Sequence, residues 1–210
     1  MTLGELLSRT ILLVALTFTG VVMAVEEPKY SVLEKSPPFE LRSYAPMILA
    51  EVQVEGDLDD ASSQGFRLIA AYIFGQNQVS EKISMTTPVT VEEKSSKSAK
   101  IAMTAPVNIE SNAGQWTVSF VMPSEYTMDS LPKPLNPKVQ LRQIPAVKRA
   151  VISFSGFYNA NKVAEKNLEL EEWMKTKNLQ AVGTPKFARY NPPWILPFMR
   201  RNEIMIDVRD

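Results

Sequence analysis

The chain has 210 residues with 23 basic and 23 acidic side chains, and it contains neither His nor Cys. The absence of both residue types excludes Ser-His-Asp and Cys-His catalytic arrangements, zinc sites built on His or Cys, and thiol redox chemistry. Nucleic-acid affinity depends largely on neutralising phosphates, and a formal charge of zero supplies no basic excess for this. We therefore expect no nucleic-acid partner.

The N-terminus carries an apolar run. Residues 10–25 (TILLVALTFTGVVMAV) follow Arg9, and two glutamates come next. The run is shorter than the about 20 apolar residues of a transmembrane helix. Residues 22–24 (VMA) resemble a signal-peptidase site. We predict a signal peptide over residues 1–24 and one exported, periplasmic domain over residues 25–210. The alternative is an uncleaved anchor, which alone would bring the domain to a membrane.

The first half of the mature chain predicts strands and then a helix. Polar and apolar residues alternate over residues 30–35, 39–44 and 47–54, as in half-buried strands. The spacing then changes to three and four residues, which is typical of an amphipathic helix. Asp57, Asp59 and Asp60 are candidates for its N-cap, and Gly75 for its C-cap.

One phrase occurs twice after this helix. KISMTTPV at residues 82–89 returns as KIAMTAPV at residues 100–107, with six of eight positions identical. We predict two neighbouring strands joined by a hairpin loop at residues 92–99, with Met85 and Met103 on related faces. Because thioethers are flexible and polarizable, these methionines either line a site for a flat apolar molecule or fill the core.

The second half repeats the order of the first. Residues 116–122, 139–144 and 149–155 predict strands, and Asn159 or Asn161 begins a helix that ends near residue 178. Residues 186–191 and 203–209 complete the pattern. Two β-β-helix-β-β halves predict an α+β fold with a pseudo-two-fold. The side chains expected on the inner face of the second helix are Val163, Ala164, Leu168, Trp173 and Met174.

Six motifs stand out along the chain: Arg42-Ser43-Tyr44, Gly65-Phe66, the doubled Met-Thr-x-Pro-Val phrase, Gly156-Phe157, Tyr190-Asn191-Pro192-Pro193-Trp194 and Arg200-Arg201-Asn202-Glu203. Together they resemble the bacterial and plant branch of the SOUL haem-binding family, over nearly all of the chain from about residue 28. The resemblance implies a distorted antiparallel β-barrel flanked by two helices. It also implies that haem or another tetrapyrrole binds in an apolar cleft beside the first helix.

The chain departs from the family pattern where charge is expected. Ser63, Ala71 and Ile195 occupy positions that are basic in the best-studied branch, and the axial His of another branch is absent. Arg67, Arg200 or Arg201 could grip a carboxylate instead. The alternatives are that Arg67 is a solvated surface charge and that Arg200-Arg201 with Glu203 form an ion pair that fixes the loop.

The resemblance and the residues place the ligand contacts on the first helix, the Met strands and the Pro-Pro-Trp loop. Tyr72 and Tyr190 either ligate iron or cap the pocket with a hydrogen bond. Trp194 and Phe198 either stack on the ligand or belong to a loop folded back onto the barrel. The predicted ligand-binding residues are Phe66, Ile69, Ala70, Tyr72, Ile73, Met85, Met103, Tyr190, Trp194, Arg200 and Arg201.

We predict a monomer that binds haem, or a related tetrapyrrole, reversibly and non-covalently without His ligation. No metal site built from protein ligands is expected. The carboxylates are scattered over predicted strands without a paired arrangement, so we predict that the protein is not an enzyme. Two alternatives remain open: a binding module for another apolar or cationic small molecule, and an enzyme that modifies a tetrapyrrole.

Overall fold

The structure is a computed structural model that describes residues 25–79, 98–112 and 115–209. Within these ranges the chain forms two α-helices, α1 (Leu58–Ile73) and α2 (Ala160–Thr176), and a 3-10 helix at Pro197–Met199. The strands are β1 (Tyr30–Ser36), β2 (Phe39–Tyr44), β3 (Met47–Val54), β4 (Asn77–Gln78), β5 (Val107–Asn112), β6 (Gln115–Val121), β7 (Lys133–Pro134), β8 (Gln140–Ile144), β9 (Val147–Phe154), β10 (Gln180–Arg189) and β11 (Asn202–Arg209).

Nine strands form one antiparallel sheet in the order β1-β2-β9-β11-β10-β5-β6-β3-β8. The order is symmetric once β1 is set aside, because β2, β3, β5 and β6 of the first half correspond to β8, β9, β10 and β11 of the second. The halves exchange their first strands, since β2 pairs with β9 and β8 pairs with β3. The predicted α+β fold with repeated halves is confirmed. The sheet is open, with β1 and β8 as its edges, so "barrel" describes it only loosely.

Both helices begin at side-chain caps. Asp57 Oδ1 accepts hydrogen bonds from the backbone amides of Asp59 and Asp60 at 3.0 and 2.9 Å. Asn159 Oδ1 does the same for Lys162 N at 2.8 Å. These caps satisfy amides that have no partner within the helix. Asp57 and Asn159 were both among the candidates that the sequence offered.

The core lies mainly between the helices and one face of the sheet. Its buried side chains include Ile69, Phe120, Ile152 and Leu170. A smaller cluster around Val151 and Met205 lies on the other face, because neighbouring residues of a strand point to opposite sides.

Leu168 and Ala164 were wrongly assigned to the inner face of α2. Leu168 is 60% exposed and Ala164 is exposed as well, whereas Leu170 is buried beside Trp173 and Met174.

The repeated phrase differs from its prediction. Its first copy, with Met85 and most of the loop at residues 92–99, lies outside the described residues. The second copy is not a strand between Lys100 and Pro106, where Thr104 makes only an isolated bridge with Glu26. Pro106 has no amide to give to a ladder. The strand, β5, begins at Val107 instead, and its continuation over residues 108–112 was not predicted.

Candidate functional site

The exposed side of α1 carries an apolar strip. Phe66, Ala70 and Phe74 follow one another at four-residue spacing and therefore lie on one face of the helix. The ring of Phe66 lies 5.7 Å from the ring of Phe120 in β6, yet 40% of this residue remains exposed. Phe74 is exposed as well, while Ala70 is buried. A flat apolar molecule could reach this strip from solvent.

Residues 101–107 run beside this strip. Ile101 N donates to the carbonyl of Ile73 at 2.8 Å, and Val107 pairs with Phe120, on which Phe66 packs. One end of the segment is thus joined to the C-terminal end of α1 and the other to β6, and Met103 between them is 36% exposed. We call Phe66, Ala70, Phe74 and Met103 together the α1 surface.

Two arginines lie near the α1 surface, and they differ in whether their guanidinium groups already have partners. Arg67 follows Phe66 on α1, is exposed, and makes no hydrogen bond or ion pair with the described residues. Arg189 of β10 donates through Nη1 to Ser62 Oγ at 2.6 Å, and its guanidinium lies 4.7 Å from the ring centre of Tyr158. Arg67 is therefore available to a ligand carboxylate, while Arg189 already joins the sheet to α1.

Three predicted ligand contacts on α1 belong to the core. Ile69, Tyr72 and Ile73 are almost completely buried. The Tyr72 hydroxyl donates to the carbonyl of Pro132 at 2.8 Å, and burial raises the pKa of Tyr72 well above its usual range. In this conformation the three side chains present no surface to a ligand.

Glu203, on the face of the sheet opposite the helices, is the centre of a buried ionic cluster. Arg42 donates to its two carboxylate oxygens through Nη1 and Nη2, each at 3.0 Å. Arg201 Nε and Ser153 Oγ each donate to Oε1 at 3.0 Å, and the Tyr190 hydroxyl donates to Oε2 at 2.6 Å. The buried carboxylate is thus fully paired.

Burial alone would raise the pKa of Glu203, but the hydrogen bonds and charge of Arg42, with help from Arg201 and Tyr190, hold it below its usual value. Burial, followed by the charge of Glu203, raises the pKa of Tyr190 far above its usual range. Arg201 also bonds to Glu27 at 2.9 Å. Tyr190 and Arg201 therefore stabilise the fold on the side away from the α1 surface, and the predicted Arg201–Glu203 ion pair exists.

The Pro-Pro-Trp loop stands out from the sheet. Trp194 is 79% exposed and Phe198 72%, so the loop is not folded back onto the strands. Arg200 holds the loop in shape by donating to the carbonyls of Ile195 and Pro193. Its guanidinium is thereby occupied within the loop.

A family model for the SOUL heme-binding proteins matches residues 25–207 of this chain. The chain belongs to the SOUL family. Heme-binding protein 2 of Homo sapiens is 33% identical over 154 residues, which cover 70% of this chain and 68% of the human protein. Heme-binding protein 2 of Mus musculus is 31% identical over 194 residues, which cover 87% of this chain and 86% of the mouse protein.

Solved structures share the SOUL fold at low identity. The C-terminal domain of EcmrR has a TM-score of 0.57 and 9% identity, covering 86% of this chain and 98% of that one. A hydrolase from Listeria innocua has a TM-score of 0.53 and 14% identity, covering 81% and 91%. These likenesses concern the fold alone.

The SOUL fold thus brings only some of the predicted residues together. Phe66 and Ala70 lie on one face of α1, and Met103 lies in the segment bonded to the C-terminal end of that helix. Tyr190 and Arg201 lie across the sheet, and Trp194 and Arg200 lie on a separate loop. That these residues contact a ligand stays a prediction. The predicted ligand-binding residues did not include Phe74 or Arg189. The four-residue spacing between Ala70 and Phe74 could have indicated Phe74.

Two further hollows lie among the described residues. A cleft of about 500 Å³ is lined by Glu26, Asp129, Met47, Met122 and Met128, among others. A polar hollow of about 240 Å³ lies on the sheet face opposite the helices. The described ranges hold no group of three carboxylates placed to bind a metal ion, and no helix within them is long and apolar enough to cross a membrane.

Proposed function

We propose that this SOUL protein binds haem or a related tetrapyrrole at the α1 surface, reversibly and without a covalent bond. Its family membership and its haem-binding relatives support the ligand class. The single observation that supports the place is the exposure of Phe66, a large ring that packs on Phe120 and yet stays 40% exposed. Burying a flat macrocycle against such a surface gains about 25 cal/mol per Å² before the costs of association.

The polar edge of a tetrapyrrole needs a cation. Arg67 adjoins Phe66 on α1 and has no partner among the described residues. A guanidinium can bind a propionate carboxylate with two parallel hydrogen bonds. Arg67 is therefore the residue we assign to the propionates, in preference to Arg200 and Arg201, whose donors are occupied within the fold.

Strong axial ligation is not part of the proposal. The chain has no His, and the hydroxyls of Tyr72 and Tyr190 are held by Pro132 and Glu203. Met103 supplies a thioether as a contact to the macrocycle face. The α1 surface also offers no carboxylate for proton transfer among its described side chains, which favours binding over catalysis.

A hemin titration of the full chain tests the site. Phe66→Asp introduces a charge where the macrocycle would lie, so we expect the saturable Soret change of the unaltered protein to be lost. The matched control is Leu168→Asp, because Leu168 is an exposed apolar residue on the other helix. Equal titration curves for the two variants, or no saturation at micromolar protein, would contradict the proposal.

A cationic apolar molecule is the second candidate ligand, in the cleft near residue 26. Hydrogen bonds from Ser124 lower the pKa of Glu26, so its carboxylate is charged at neutral pH. Asp129 and three methionines line the same cleft, whose volume of about 500 Å³ suits a small molecule. We expect Glu26→Gln to weaken binding of tetraphenylphosphonium, measured by calorimetry, with hemin binding unchanged. Binding of hemin alone would remove this candidate.

We also propose that the domain is exported. Residues 10–25 and the small residues before Val25 support removal of a signal peptide. The mass of the protein recovered from the periplasmic fraction tests this, because cleavage after Ala24 leaves a chain that begins at Val25. Recovery of the uncleaved chain in the membrane fraction would instead favour the anchor.

A further inference from the structure

Two neighbouring loops expose a cluster of large apolar side chains. Gly156 N donates to the carbonyl of Pro197 at 2.9 Å, which joins the turn after β9 to the loop between β10 and β11. Exposed apolar clusters of this kind mark surfaces that meet another apolar phase. We call this cluster the apolar loop patch. Its five members, all mostly exposed, are Phe157, Trp194, Leu196, Phe198 and Met199.

The loop is held in shape without a partner. Arg200 donates to the carbonyls of Ile195 and Pro193, and its guanidinium lies 5.4 Å from the ring centre of Phe157. Residues 197–199 form a 3-10 helix whose first residue is proline. A preformed loop loses little conformational entropy on binding. Its backbone carbonyls are also partly paired before they approach a medium that offers no hydrogen bonds.

The N-terminal chain reaches the fold at the base of this loop. Glu27 bonds to Arg201 at 2.9 Å, and Arg201 directly follows Arg200. Val25 is two residues before Glu27, which is at most about 7 Å of extended chain. Val25, where the described chain begins, therefore lies near the base of the loop that carries the apolar loop patch. A leader retained in a membrane would hold this side of the domain near the bilayer.

We propose that the apolar loop patch docks on a lipid bilayer, with Trp194 at the level of the headgroups and Phe198 and Leu196 directed toward the acyl chains. Trp is enriched at this level because its ring is apolar and its N–H is polar. The formal charge of the chain is zero, so docking depends on apolar burial more than on anionic lipid. The proposal is independent of the α1 surface, and it does not require a bound tetrapyrrole.

The chain contains a built-in probe for this proposal, because its three Trp residues lie in different surroundings. Trp194 is in the patch. Trp173 is buried and stacks on Phe39 with ring centres 5.3 Å apart. Trp116 is half-buried near the start of β6, where its Nε1 donates to the carbonyl of Gly56 at 2.9 Å.

The experiment measures Trp fluorescence of the full chain with phosphatidylcholine vesicles, with and without brominated acyl chains. Bromine quenches only a Trp that enters the bilayer. We expect quenching and a blue shift in the unaltered protein and in Trp116→Phe, and loss of most of that quenching in Trp194→Phe. Trp194 is exposed, so its replacement by Phe leaves the core intact, and circular dichroism checks this.

Three outcomes would overturn the proposal. The first is equal quenching in the unaltered protein and in Trp194→Phe. The second is no quenching in any variant, whether or not mass spectrometry finds residues 1–24 retained. The third is a dimer in vesicle-free solution whose Trp194 emission is already blue-shifted, because a second copy of the chain would then occupy the patch.

Discussion

At the scale of single residues, Glu203 is the shared acceptor on which the buried ionic cluster depends. Its carboxylate accepts hydrogen bonds from Arg42, Arg201, Tyr190 and Ser153. Glu203→Gln removes the buried counter-ion of Arg42 and Arg201, which keep only the less buried Glu40 and Glu27. Loss of one partner of a buried pair costs about 3–5 kcal/mol. We expect a fall of this size in the free energy of unfolding at pH 7, measured with urea.

Glu51→Gln is the matched control for this change. Glu51 also pairs with an arginine, at 2.7 Å from Arg142 Nη2, but half of the Arg142 side chain is exposed. A pair of that kind contributes about 1 kcal/mol or less. Equal losses of unfolding free energy from the two substitutions would show that burial of Glu203 does not make its ion pairs more stabilising.

The pH dependence follows from the lowered pKa of Glu203. As pH falls below the usual value of 4.5, the unfolded chain takes up the proton before the folded one. The stability from Glu203 is therefore fully present above about pH 4.5 and is lost as pH falls toward the folded-state pKa. We expect the gap in unfolding free energy between the unaltered protein and Glu203→Gln to narrow below pH 4.5. A constant gap between pH 7 and pH 3 would contradict this.

At the scale of elements, Gly65 fixes how closely α1 approaches the sheet. A Cβ at this position would lie 2.4 Å from Cβ of Val118, whose side chain is completely buried on β6. Gly65→Ala must therefore push the helix away, at about 1–3 kcal/mol for overpacking. We expect a lower free energy of unfolding although Ala favours helix by about 1 kcal/mol.

Ser63→Ala serves as the control on the same helix, because Ser63 is exposed and the change removes only its hydroxyl without adding volume. We expect its stability to equal or exceed that of the unaltered protein. If Gly65→Ala were also stabilising, helix propensity would outweigh the packing against Val118. Because Phe66 follows Gly65, the same displacement should weaken hemin binding in the titration.

The sequence predicted most elements because caps and alternation are local signals. Asp57 and Asn159 were found in this way. The assignment of Leu168 was wrong because it rested on four-residue spacing from Ala164. The buried face of α2 contains Leu170 instead, which lies about 200° around the helix from Leu168. The contact of Arg42 with Glu203 joins residues 161 positions apart, and no local pattern reports such a pairing. The same limit hid the position of Arg189 beside Ser62.

At the scale of the whole molecule, the exchange of first strands makes the two halves interdependent. β2 of the first half pairs along its length with β9, and β8 of the second half pairs with β3. Arg42 and Arg142 then carry ion pairs across the same boundary, to Glu203 and Glu51. Neither half can keep its complete sheet while the other is unfolded.

This interdependence predicts one cooperative unfolding transition. Trp116 lies in β6 of the first half and Trp173 in α2 of the second, so the two report on different halves. In variants that retain only one of these Trp residues, we expect each fluorescence midpoint in urea to coincide with the circular dichroism midpoint of the same protein, as for two-state unfolding. Comparison within each variant removes the effect of the substitutions on stability. Separate midpoints would mean that one half stays folded after the other has unfolded. The strand exchange would then contribute less to the free energy of unfolding than the extent of its pairing predicts.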